Sequence, residues 1–120
     1  MSAHLAEVNG KVLTMRISGI LKHTELLASQ QEAAKWIESN GAASLLIVLD
    51  AFEGTADEGD WSDFSFQMKY DPMIEKIAIV CEPQWRDAAF MFTGKGLRPM
   101  PIRHYLPAEI QHALDWVESE

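Results

Sequence analysis

Cysteine is nearly absent: the 120 residues hold one, Cys81. A lone thiol can form neither an internal disulfide nor a multi-thiolate zinc site, which fits a reducing compartment better than secretion. Basic residues are also scarce, ten Lys plus Arg against eighteen Asp plus Glu, for a formal net charge of −8. Such a chain has no broad cationic surface to neutralise phosphates, so general nucleic-acid binding is excluded. Long apolar runs are missing too. The strongest, Leu45 to Leu49, is about a quarter of the roughly 20 residues that a membrane-spanning helix needs. Met1 to Gly10 lacks the apolar stretch of a secretory signal. We therefore expect a soluble, acidic, cytoplasmic protein built as a single domain over residues 1–120, with roughly 65 to 70% of its unfolded surface buried.

What is present is well punctuated. Ala3 to Val8 and Lys11 to Ser18 read as strands flanking Asn9-Gly10, the dipeptide most tolerant of the positive φ of a hairpin turn. In the second arm Leu13, Met15 and Ile17 alternate with Val12, Thr14, Arg16 and Ser18, predicting one buried and one polar face, and Gly19 is expected to end it. Leu26, Leu27, Ala33, Ala34 and Ile37 recur at helical spacing between Thr24 and Asn40, ahead of a capping Gly41. Ser44 to Leu49, ending at Asp50, is continuously apolar and suits a central strand covered on both faces.

Glu53 to Asp60 then reads as a turn, with a second helix from Asp60 to about Tyr70 stopped by Asp71-Pro72. Lys76 to Cys81 is the next apolar strand. Pro83 opens a third helix whose stripe is Trp85, Ala88, Ala89 and Phe92, ending near Gly94 to Gly96. Ile102 to Leu106 is the last strand, and Pro107 starts a fourth helix striped by Ile110, Ala113, Leu114 and Val117. The order β-β-α-β-α-β-α-β-α predicts an α/β fold: a mixed, mostly parallel five-stranded sheet with an N-terminal antiparallel hairpin and four helices.

The segments Leu45-Leu-Ile-Val-Leu-Asp50-Ala-Phe52-Glu53-Gly54, Asp60-Trp61-Ser-Asp63-Phe64, and Ile77-Ala-Ile-Val80 with Trp85 resemble the SpoIIAA-like proteins, small bacterial domains related to STAS domains and more distantly to the lipid-carrying CRAL-TRIO fold. The resemblance spans nearly the whole chain, and its motifs are mainly structural. It implies successive βα turns around a mixed sheet. STAS antagonists of anti-sigma factors carry a phosphorylatable serine directly after an aspartate. Here a tryptophan intervenes in Asp60-Trp61-Ser62-Asp63, and carboxylates on both sides of Ser62 repel an added phosphate. A serine phospho-switch is not expected.

The second and third helices carry more apolar surface than one buried face requires. On a helical wheel Trp61, Phe64 and Met68 fall within about 60° of one another, while Phe66 and Tyr70 fall roughly 140 to 180° from Trp61. Phe90 and Met91 likewise lie outside the stripe of the third helix. Fully burying one large apolar side chain is worth about 1.5–3 kcal/mol, so something should cover these residues. The cover is either the rest of the chain, a small apolar or lipid-like ligand in a groove, or a second copy in a homodimer. Trp61, Phe64, Phe66, Tyr70, Trp85, Phe90 and Met91 are the candidate contacts. Lys95, Arg98 and Arg103, with His104, come after the third helix and are candidate anion contacts for a lipid head group; cations there also complement a helix C-terminus without any ligand.

No catalytic constellation emerges. Asp50, Glu53, Asp57, Glu58, Asp60 and Asp63 cluster without the spacing of a calcium loop. The four histidines lack a zinc-hydrolase pattern, Thr93-Gly94-Lys95-Gly96 lacks the rest of a phosphate loop, and Cys81 ends an apolar strand, where a thiol is packing. The expectation is a non-catalytic domain with neither cofactor nor metal. It either binds a small apolar or lipid-like molecule, with peripheral membrane contact as one setting, or acts as a regulatory interaction module through homodimerisation or partner docking.

Overall fold

The hairpin forms one step later than the sequence places it: Asn9 pairs with Val12, so Gly10-Lys11 makes the turn, with Gly10 at φ +61. This turn joins β1 (Ala3–Asn9) and β2 (Val12–Leu21) in a computed structural model that describes residues 3–56, 69–93 and 100–119. The remaining elements are α1 (His23–Asn40), β3 (Ala43–Thr55), β4 (Ile74–Val80), α2 (Arg86–Thr93), β5 (Ile102–Tyr105) and α3 (Ile110–Glu118). Short 3-10 turns at Asp71–Met73, Pro83–Trp85 and Pro107–Glu109 each carry a proline in their first two positions, where its fixed φ suits a first turn and its missing N–H costs nothing. The sequence predicts four helices. The described residues hold three α-helices, and the helix expected from Asp60 lies outside them except for Lys69 and Tyr70, which are helical.

The five strands lie in the order β1-β2-β3-β4-β5, antiparallel between β1 and β2 and parallel thereafter. Each parallel step moves one place in the same direction, and crossovers of one hand then put their helices on one face. Accordingly Ala33, Ala34 and Ile37 of α1 and Ala89 of α2 share one core with Leu13, Met15 and Ile17 of β2, Leu45, Ile47 and Leu49 of β3, and Ile77 and Ile79 of β4. The helix α3 comes after the last strand, so no crossover binds it to that face. It closes the other, where Ala113 and Val117 meet Val12, Leu46, Val48, Ala78 and Val80. The uninterrupted apolar runs of β3 and β4 are thus split residue by residue between two cores, as a period of two requires.

The structure corrects two expectations. The face of β2 expected to be polar is covered at its start, with Val12 2% and Thr14 6% exposed, because α3 lies over it. Nor does β2 end at Gly19 or β3 at Asp50. Ile17 pairs with Leu49 and Gly19 with Phe52, so Asp50 and Ala51 together oppose the single Ser18. This bulge is made by a left-handed Ala51 at φ 53, and Gly19 answers it at φ 62. Pairing then resumes through Ile20↔Gly54 and Leu21↔Thr55, which makes strand of residues 53–55 where the sequence predicts a turn. Two bulged strands can pair past residues that would each end a regular one.

Besides the apolar packing of α3, Lys76 ties its end to the sheet. Lys76 on β4 donates from Nζ to the carbonyls of Trp116 at 3.0 Å and Ser119 at 2.8 Å, supplying the cation that the last turn of α3 lacks. Two cations lie near the Trp116 ring, Lys76 Nζ at 5.3 Å and the Arg103 guanidinium at 4.6 Å from its centroid. Lys76→Met should lower the free energy of unfolding by about 1–2 kcal/mol in urea titrations, less at high salt. An unchanged midpoint would show that α3 holds by apolar packing alone.

Candidate functional site

Past its bulge, β3 delivers Phe52 to the core on the α1 and α2 side, and the aromatic flank of the molecule is built on that residue. The Pro83–Trp85 turn sets the Trp85 ring edge-on to Phe52, with centroids 5.0 Å apart and planes at 84°. From there α2 seats Ala89 fully in the core, and the small side chain lets the helix approach closely. Thr93 Oγ1 donates back to the Ala89 carbonyl at 2.7 Å, the i−4 bond by which a threonine satisfies its hydroxyl within a helix. Phe90 is half-buried against the same core and meets the His104 ring edge-to-face at 6.4 Å. The His104 Nε2 lies 2.9 Å from the Cys81 carbonyl, and since a carbonyl only accepts, Nε2 carries the hydrogen. Met91 stands clear of all this at 71% exposed.

The candidates from the sequence therefore separate. Trp85, Phe90 and Met91 share α2 and its leading turn, with Trp85 and Phe90 partly covered and Met91 open. Tyr70 is 8% exposed, a core residue, and its hydroxyl donates to Glu38 Oε1 of α1. Lys69 is 4.0 Å from the same carboxylate and 5.3 Å from the Tyr70 ring centre. Trp61, Phe64 and Phe66, with Ser62, lie outside the described residues, as do Lys95 and Arg98. Arg103 does not join a cationic rim beside α2. Neighbours on a strand point to opposite faces, so His104 turns toward Phe90 while Arg103 lies across the sheet over Trp116.

Two partners are hidden in the sequence. Phe52 falls between the strand expected to end at Asp50 and the turn expected from Glu53, and His104 reads as one of four scattered histidines; only the bulge and the β5 register bring them to α2. Among the described residues no group of three or more His, Cys, Asp or Glu side chains is placed to hold a metal ion. Cys81 is fully buried, and burial followed by the neighbouring Glu82 charge pushes its thiol up to about 11. Such a thiol is neither a nucleophile nor a ready metal ligand.

The sequence that builds this sheet and its helices matches a family model. The chain belongs to the SpoIIAA-like family. The family model covers residues 12–118, from the start of β2 to the end of α3. An uncharacterized protein with a SpoIIAA-like fold from Shewanella loihica PV-4 superposes with a TM-score of 0.74 at 16% identity, over 97% of this chain and 94% of the other. At that identity the likeness concerns the fold. No curated protein matches the sequence. Within this SpoIIAA-like domain, no described helix is long and apolar enough to cross a membrane.

Two perturbed groups among the described residues give tests. The hydrogen bond to Glu38, then burial, then the Glu38 charge raise the Tyr70 phenol above its ordinary value. A raised folded value contributes stability below the unfolded value and loses it as pH climbs through the folded one. Tyr70→Phe should therefore flatten the alkaline fall in thermal stability. For Cys81, iodoacetamide at about pH 8 should leave the native thiol intact and modify it in urea; rapid native labelling would contradict its burial.

Proposed function

We propose that this SpoIIAA-like domain is a non-catalytic binding module that takes a small apolar or lipid-like ligand against the flank formed by Trp85, Phe90 and Met91. One observation carries the reading: α2 leaves Trp85 and Phe90 only partly covered and Met91 71% exposed, although Ala89 already anchors the helix. A ligand that covers an aromatic wall of this kind gains about 25 cal/mol for each Å² of apolar surface removed from water. His104 adds a polar edge to the wall, and its Nε2 hydrogen is spent on the Cys81 carbonyl. A membrane setting is the less favourable one, since a formal net charge of −8 repels anionic lipid surfaces.

Met91 favours a second reading. An exposed methionine on the outside of a short helix suits an adaptable protein contact, so homodimerisation or partner docking through α2 is the alternative. Titration with a fluorescent fatty acid, paired with native mass spectrometry and light scattering, separates the two. Retained or titrated lipid that is lost in Phe90→Asp supports the ligand. A ligand-free dimer that Met91→Glu dissociates supports docking. Equal fatty-acid binding by Phe90→Asp would sink the ligand reading.

A further inference from the structure

Across the sheet from α2, a depression of about 300 Å³ opens at the carboxyl ends of β3 and β4, beside the start of α3. Val48, Val80 and Ile110 give it an apolar lining, and Arg16, Asp50 and Glu82 bring charges of both signs to it. The bulge forms one lip: Asp50 and Ala51 both line the depression, and Ala51 holds a left-handed φ of 53, which a non-glycine residue keeps only under constraint. Backbone strain of this kind concentrates where proteins bind ligands.

The state of Arg16 is the decisive feature. It is half-buried, and among the described residues its side chain has no ion pair and no hydrogen bond. A guanidinium drawn partly out of water gains most from a carboxylate, which it can hold by two parallel hydrogen bonds. A simple anion fits poorly, because Asp50 and Glu82 line the same depression and repel it. A ligand that answers both signs carries an ammonium as well as a carboxylate, and Val48, Val80 and Ile110 call for an aliphatic group beside them. The volume of about 300 Å³ lies at the small end of ligand pockets, which suits an amino acid.

We propose that this depression binds a free α-amino acid with an aliphatic side chain. Its carboxylate sits on Arg16, its ammonium faces Asp50 and Glu82, and its side chain covers Val48, Val80 and Ile110. The site is separate from the α2 flank and stands or falls independently of it.

Methyl-resolved NMR titration of the full chain with L-leucine tests this, with isocaproate, which lacks the ammonium, and isoamylamine, which lacks the carboxylate, as controls. Leucine should shift the methyls of Val48, Val80 and Ile110 saturably, with each control about tenfold or more weaker, the loss expected for one charged hydrogen-bonding group. Arg16→Met should remove leucine binding. The exposed Asp50→Asn should weaken leucine while strengthening isocaproate, an inversion that a merely destabilised fold would not produce. Absence of saturable shifts, equal binding of all three compounds, or no inversion in Asp50→Asn would overturn the proposal.

Discussion

Burial of β3 and β4 from both sides is the constraint on which the rest of the molecule depends. From Leu45 to Val48 on β3 and from Ile77 to Val80 on β4 every side chain is apolar, so neither face can be left to water. Crossover handedness sends α1 and α2 to one side, and only a helix placed after the last strand can reach the other. That makes α3 indispensable although it is short, and it explains the weight placed on Lys76 and Arg103. Both lie over the Trp116 ring, and Lys76 caps the carbonyl end of α3 from the sheet, where the helix has no basic residue of its own in its last turn.

The second organising feature is the mismatch in length between β2 and β3. One extra residue at Asp50-Ala51 and another at Glu53 force bulges, and these re-aim the side chains beyond them. On one face Phe52 becomes the support for Trp85 and so for the exposed flank of α2. On the other, Asp50 and Ala51 become the lip of the depression that holds Arg16. One irregularity thus shapes two surfaces on opposite sides of the sheet, an aromatic wall and a small charged notch.

Much of this fold is legible in the sequence. Element order, the antiparallel hairpin, the central position of β3 and the stripes of α1 and α3 come from periodicity and punctuation, because those patterns encode which local face is apolar. The candidate site is legible only in part. The excess of apolar residues on α2 is real at Met91, yet Tyr70, which the same wheel argument sets apart, is absorbed by the core through Glu38. A wheel reports angles within one helix and is silent about how far a neighbouring helix reaches. Arg103 teaches the same lesson: proximity in sequence to Lys95 and Arg98 suggests a rim, but strand alternation sends its side chain to the opposite face.

By itself, then, the sequence determined fold class, the order of elements along the chain and the identity of the covered strands, since hydrophobic alternation and turn chemistry are local properties of the chain. Tertiary structure alone decided where β2 and β3 slip against each other, which face each cation reaches, and which aromatic residues stay open. Those outcomes depend on register between strands and on contact between elements far apart in the chain, and no local pattern of residues carries that information.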